Sequence, residues 1–129
     1  MVKTYSISNQ KIYEIAVLAV NNFHGDIKFP AKAMFYIQKN VNQITELGRE
    51  IESARTRILE RYGKLTEEEN KQTYNIPKEN LAEAQKELND LLAIEQEVKL
   101  YMVKLDWLND VELTPAQFGV LELMIDEGE

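Results

Sequence analysis

One amphipathic stripe constrains what this chain can fold into more than any other feature. From Pro30 to Tyr62, the residues Met34, Ile37, Val41, Ile44, Ile51, Ile58 and Tyr62 recur at spacings of three, four and seven, and Leu47 and Ala54 fill in beside them. A heptad-like stripe of this length needs another helix to cover it. The chain therefore reads as mainly α with a minor β element (α+β). The expected architecture is an antiparallel hairpin built on the long helix, packed by N- and C-terminal helices, with a small two- or three-stranded sheet. Gly48 falls where the heptad calls for an apolar residue. Either it admits a neighbouring element closely, or it simply weakens the helix by about 1 kcal/mol.

At 129 residues the chain is most simply one domain, 1–129, with a modest core. It divides into an N-terminal strand and helix (1–28), the helical hairpin (30–96), and a strand and C-terminal helix (97–125). Apolar residues make up 44% and charged residues 29%, the balance of a folded chain rather than a disordered one. The formal net charge of −7 argues against a generic nucleic-acid binder, which needs a clustered basic face. It leaves room for a basic protein partner, and for acidic surface that competes for a nucleic-acid site. With no cysteine, disulfides and thiolate metal sites are excluded, which fits a reducing cytoplasm. The apolar run Ile15–Val20 is short and preceded by Glu14 and the polar Ser6–Gln10. It lacks the pattern of an export signal and the length of a membrane span, so a helix buried on more than one side is expected.

Local signals place the other elements. Val2–Ile7 alternates like a strand, Ser8 reads as an N-cap, and Ile7 and Ile12 form a hydrophobic staple for a first helix to about Phe23. His24-Gly25-Asp26 is a turn, and Pro30 suits the first turn of the long helix. On that helix Glu46/Arg49, Glu52/Arg55 and Glu60/Lys64 lie three or four residues apart with the acid first. Arg55, Arg57, Arg61 and Lys64 complement the dipole at its C-terminal end, and Gly63 terminates it. The polar stretch Thr66–Tyr74 is expected to be the hairpin's loop, with Thr66 and Glu69 capping a short helical turn and Tyr74–Ile76 extended. The next helix begins at Pro77 or at Asn80, which has capping-box spacing to Glu83; Leu81, Ala84, Leu88, Leu91 and Ile94 form its stripe. Glu97–Leu105 alternates like a strand, pairing with the N-terminal strand or with Tyr74–Ile76. Asp106–Val111 is a turn or short helix. Leu113, Thr114, Pro115, Gln117 and Phe118 combine a staple, a capping box and a proline at the first helical position. That helix should run to about Ile125, offering Phe118, Leu121, Leu123 and Met124 to the core, before an acidic, frayed tail.

Residues capable of chemistry are scattered. His24, the only histidine, stands at a glycine turn with no nucleophile signalled nearby and reads as a turn or surface residue. Glu67, Glu68 and Glu69 are contiguous and fan apart rather than converge on an ion. Glu95 and Glu97 share a strand face, as many surface pairs do, and no phosphate loop, nucleophile elbow or dinucleotide fingerprint is present. No catalytic, cofactor or metal residue is assigned, and a non-enzymatic protein is expected. The Arg55–Lys64 patch is small, is interrupted by Glu52 and Glu60, and serves better as dipole complement and solubilising surface than as a nucleic-acid site. Among the aromatics, Tyr13, Tyr62, Tyr101 and Trp107 read as core or core edge. Met34, Phe35, Tyr36 and Ile37 are apolar around most of the helix, so that stretch is either buried on several sides or a protein interface. The candidate interface residues are Phe35, Tyr36, Lys39, Arg55 and Arg61.

A set of local patterns spans about residues 29 to 125. These are Phe29-Pro30-Ala31-Lys32 and Tyr36-x-x-Lys39-Asn40 opening the long helix, Ile51-Glu52-x-Ala54-Arg55, Tyr62-Gly63, Tyr74-Asn75-Ile76, Leu88-x-x-Leu91-Leu92 and Leu113-Thr114-Pro115-Ala116. In these the chain resembles a group of small proteins of bacteriophages and prophages in Gram-positive hosts. The resemblance is one of pattern and transfers no active-site residue. It implies a phage-encoded accessory protein acting in the host cytoplasm, bound to a protein partner of host or phage origin. Three functions fit that setting: a protein-binding inhibitor of a host defence system, such as an anti-CRISPR; a virion assembly or structural component forming a homo-oligomer; and, least supported, a nucleic-acid-linked regulator using the Arg55–Lys64 patch. An interface at Phe35 and Tyr36 predicts that an aspartate at either abolishes binding in a folded protein. The hairpin predicts that Ile51→Asp and Leu88→Asp both unfold it.

Overall fold

The structure, a computed structural model, describes residues 2–23, 27–68 and 71–126. The turn His24-Gly25-Asp26, Glu69 of the expected helical cap, and the end of the acidic tail lie outside the described residues. In chain order the elements are β1 (Val2–Ser8), α1 (Asn9–Asn22), α2 (Ala31–Tyr62), β2 (Lys64–Glu68), β3 (Lys71–Asn75), α3 (Leu81–Ala93), β4 (Glu95–Tyr101), β5 (Val103–Lys104), α4 (Pro115–Leu121) and β6 (Ile125–Asp126). Short 3-10 turns cover Lys78–Asn80, Leu105–Leu108 and Glu122–Met124. The molecule is mainly helical with minor β structure, as its patterning requires, and α2 is its spine at 32 residues. At 1.5 Å per residue that spine is about 48 Å long.

The buried stripe of α2 comprises Ala33, Ile37, Asn40, Ile44, Gly48 and Ile51. Helix α1 lies across its middle, burying Ile12, Ile15, Ala16 and Ala19. Gly48 is what lets the two helices meet: a Cβ built there would stand 2.6 Å from the Ala16 Cβ. Of the two readings of Gly48, close approach holds. Gly48→Ala should therefore destabilise by about 1–2 kcal/mol, since the overpacking cost exceeds the alanine helix-propensity gain. Urea denaturation would measure this. Ala16→Gly in the same chain should recover part of the loss, whereas two independent additive losses would contradict the close approach.

The N-terminal half follows its local signals. Ser8 caps α1, its hydroxyl accepting from the Lys11 N–H at 3.2 Å, with Ile7 and Ile12 both buried. β1 pairs antiparallel with β4, Val2 opposite Tyr101 and Ser8 opposite Glu95, which selects the first of the two expected partners. Val98 and Leu100 of β4 point into the core, while Glu95, Glu97 and Lys99 face out. The run Ile15–Val20 is less enclosed than expected. Val17 and Val20 are exposed, because α1 buries one face against α2 and leaves another beside a shallow groove.

Four local expectations are corrected. Thr66–Tyr74 is not a loop with a helical cap: β2 and β3 form an antiparallel ribbon with Thr66 opposite Thr73 and Leu65 opposite Tyr74. β-branched and aromatic residues at these positions suit a strand better than a helical turn. Asn80 stands at the N-cap position of α3 but makes no side-chain cap bond. It sits in helical conformation at the end of a 3-10 turn, and its side-chain amide donates instead to the Tyr62 carbonyl at 3.2 Å, tying α3 back to the end of α2. The stripe of α3 is only partly covered. Ala84 is buried, but Leu81 and Ile94 at the helix ends are exposed. Finally, α4 stops at Leu121 and tightens into a 3-10 turn so that Ile125 can pair in parallel with Val103. Phe118 is exposed, while Leu121 and Met124 are buried as expected, with Val120 buried beside them and Leu123 partly buried. The cap of α4 and Pro115 in its first turn match expectation. Thr114 and Gln117 form the full capping box, and the Gln117 amide also donates to the Asn22 carbonyl at 3.0 Å, fastening α4 to the end of α1.

Two buried asparagines join helices to strands. Asn9 receives the Gln96 amide at 2.7 Å and donates to the Leu91 carbonyl at 2.9 Å. Asn40 grips the backbone of Tyr101 from both sides of its peptide, donating to the carbonyl at 2.7 Å and accepting from the N–H at 2.8 Å. No buried side-chain polar atom among the described residues lacks a partner.

Candidate functional site

The N-terminal half of α2 organises the most distinctive surface of the molecule. Lys32, Phe35, Tyr36 and Lys39 follow the spacing that puts residues on one helical face. The Tyr36 ring lies between two others. It stacks on Tyr101 at a centroid distance of 5.8 Å with the planes 4° apart, and on Trp107 at 6.0 Å and 21°. Phe35 meets Tyr36 at 5.8 Å with its plane tilted by 55°. Tyr101 comes from the end of β4, held by the Asn40 grip, and Trp107 from the 3-10 turn Leu105–Leu108. A helix, a strand end and a turn thus converge on one aromatic cluster.

Two lysines lie on it. The Lys32 ammonium stands 5.0 Å from the Trp107 ring, and the Lys39 ammonium 5.2 Å from Phe35 and 5.1 Å from Tyr101. Such contacts are worth about 0.5–1 kcal/mol each at exposed sites. Neither lysine takes part in an ion pair among the described residues. The cluster is open to solvent: Phe35 is 56% exposed, Leu105 beside Trp107 is 43% exposed, and Tyr36, Tyr101 and Trp107 are half-buried. Of the two readings of the Phe35–Tyr36 stretch, burial on several sides is thus excluded for Phe35.

Phe35, Tyr36 and Lys39 are brought together; Arg55 and Arg61 are not. Sixteen residues of helix separate Arg55 from Lys39, a rise of about 24 Å. Arg55 pairs with Glu52 at 3.3 Å, and Arg61 reaches Glu87 of α3 at 3.0 Å, both on the exposed surface. Arg61 thus links α2 to α3 and Arg55 pairs within α2, and neither extends the aromatic face. Of the three ion pairs read from the sequence, Glu46–Arg49 and Glu52–Arg55 form; Glu60 instead accepts the Tyr74 hydroxyl at 3.4 Å, because Lys64 has already left the helix for β2. Glu52 also accepts the Tyr13 hydroxyl at 2.6 Å, and that bond holds the Tyr13 hydroxyl above the ordinary phenol pKa.

Hollows also lie elsewhere along α2. One of about 300 Å³ lies between α1 and α2, lined by Ala16, Val17, Val20, Gly48 and Glu52 among others. Another of about 350 Å³ lies nearer the N-terminal end of α2, where Phe23 and Phe29 stack at 6.2 Å beside Met34 and Val41. Glu95 and Glu97 stand on the solvent face of β4 opposite Ser8 and Ser6. Among the described residues no group of three or more histidine, aspartate or glutamate side chains could hold a metal ion, and no helix is long and apolar enough to cross a membrane.

The sequence pointed to Phe35, Tyr36 and Lys39 but not to Lys32, Tyr101 and Trp107 as their neighbours. Lys32 was accessible from spacing alone, seven residues before Lys39. Tyr101 and Trp107 arrive through long-range packing that no local signal encodes. No family model matches the chain, and no curated protein or solved structure matches it.

Proposed function

We propose that this chain is a non-enzymatic protein-binding accessory factor, encoded by a phage or prophage, that inhibits a defence system in the host cytoplasm. The observation that carries the reading is the half-open aromatic cluster of Phe35, Tyr36, Tyr101 and Trp107 with its two lysines. Aromatic residues exposed together on a rigid helix face are the kind of surface from which binding hot spots are built. The phage setting rests on the resemblance in sequence pattern alone. A virion-assembly role is the second reading. β1 favours it: a seven-residue edge strand with no proline, no glycine and one charged residue, able to take another strand and join copies into an oligomer.

Affinity capture from infected host lysate, with absolute mass by light scattering on the same sample, separates the two. A monomer or dimer holding one host protein stoichiometrically supports the inhibitor; a ring-like homo-oligomer holding only phage proteins supports the virion role and removes the inhibitor reading. Phe35→Asp is the control. Because Phe35 is 56% exposed, the variant should keep its melting temperature within a few degrees while losing capture by at least about tenfold. Tyr36→Asp is the poorer control, since Tyr36 is wedged between two rings and its loss disturbs the packing of β4. Unchanged capture by folded Phe35→Asp would remove this face from the function.

A further inference from the structure

We infer, resting on the protein-binding reading above, that the aromatic face receives an acidic protein segment whose two carboxylates lie about 10 Å apart, with a planar or apolar side chain between them. Lys32 and Lys39 are seven residues apart on one face of α2, a separation of about 10 Å along the axis. A partner segment in the polyproline II conformation has three residues per turn and rises about 3.1 Å per residue, so residues three apart share a face about 9 Å apart, and the matching pattern is an acid, two intervening residues and a second acid. Between the lysines lie the Phe35 and Tyr36 rings, which a planar or aliphatic side chain of the segment can cover.

Charge selects this occupant. The chain carries 22 acidic and 15 basic side chains, so carboxylates are in excess. Even so, these two lysines have no carboxylate partner among the described residues and rest on ring faces instead. The rings hold each ammonium in place while it keeps donors free for an incoming carboxylate. A polynucleotide fits less well. Phosphate-driven binding needs more cations than two, and the net charge of −7 repels a polyanion beyond the patch. A second copy of the chain meets the same repulsion. A short acidic segment of a partner engages the patch without bringing a large negative surface against the rest.

The test is selection from a random-sequence peptide library displayed against the whole protein, with three readouts. The selected peptides should carry two Asp or Glu residues three apart with an aromatic or aliphatic residue between them. Their affinity should fall at least about tenfold in the folded double variant Lys32→Glu, Lys39→Glu, and should weaken as salt is raised. Selected peptides that are neutral or basic, yet lose binding to Phe35→Asp, would overturn the acidic partner and leave the protein-binding face standing. Peptides indifferent to Phe35→Asp, or no selected sequence at all, would overturn both. Oligothymidylate that binds the wild type but not Phe35→Asp would replace the acidic segment with nucleic acid. Concentration-dependent dimer mass abolished by Phe35→Asp would replace it with a second copy.

Discussion

Ile51→Asp should leave no cooperative unfolding transition at 25 °C. Ile51 is 3% exposed in the stripe that α2 turns toward the core. Its replacement forfeits the burial of an isoleucine, about 1.5–3 kcal/mol, and forces a carboxylate to remain charged without a partner or to take up a proton at neutral pH. The sum reaches at least about 5 kcal/mol, comparable with the whole stability of a domain this size. Leu88→Asp, on α3, should behave differently. Sequence spacing alone puts Leu88 on an equally buried stripe, but the structure leaves it half-buried on a helix where Ala84 is the buried residue. A carboxylate there reaches water, and the expected loss is about 1–2 kcal/mol with the transition retained. Circular dichroism melts of the two variants side by side test the contrast. Equal, complete unfolding would mean that α3 is packed more tightly than the structure shows. A cooperative transition in Ile51→Asp would mean that the stripe of α2 does not face the core.

The same contrast shows what is legible in this sequence and what is not. The spine was legible because 32 residues of 3.6-residue periodicity leave few alternatives, and Ala33, Ile37, Ile44 and Ile51 take the buried face. The starts of α1 and α4 were legible because Ser8 and Thr114 act through bonds to residues three positions on, a purely local chemistry. The β2–β3 ribbon was not. Its polar composition resembles a loop, and only the pairing of Thr66 with Thr73 gives those residues a reason to be extended. Asn80 misled for the opposite reason: its spacing to Glu83 suits a cap, but the Tyr62 carbonyl offers a long-range partner that wins. The candidate interface was half legible. Phe35, Tyr36 and Lys39 are neighbours along one helix, whereas Tyr101 and Trp107 depend on how β4 and the following turn meet that helix. Arg55 and Arg61 were grouped with them by charge and residue type, which carry no information about separations from Lys39 along the helix axis of about 24 and about 33 Å.

What joins the core to that interface is Asn40, and Asn40→Leu should be among the most destabilising conservative changes in the chain, at about 3–5 kcal/mol. The residue interrupts the apolar stripe between Ile37 and Ile44 and is fully buried. Its carboxamide does for Tyr101 what a neighbouring strand would do, taking the N–H at 2.8 Å and giving to the carbonyl at 2.7 Å. This occurs where β4 ends its pairing with β1 and the chain moves to pair β5 with β6. Leucine fills the volume but leaves both backbone groups of Tyr101 unpaired, at about 1–3 kcal/mol each, besides losing the two bonds. The damage should reach the surface, because the grip positions the Tyr101 ring on Tyr36. Emission of the single tryptophan, Trp107, should therefore change in the folded variant. Asn40→Asp provides the sharper test. An ionised carboxylate still accepts from the N–H but sets a second acceptor against the Tyr101 carbonyl; the protonated acid can donate to it as asparagine does. The folded state therefore prefers the protonated form, and the group's pKa in the folded protein is raised above the ordinary aspartate value of about 4. The variant's deficit relative to wild type should be small below about pH 4, and should grow as pH rises through the folded-state value to its full size at neutral pH. Parallel urea titrations of both proteins across that range measure it. A deficit independent of pH, or a loss of less than about 1 kcal/mol in Asn40→Leu, would mean that Tyr101 is held by something other than this carboxamide.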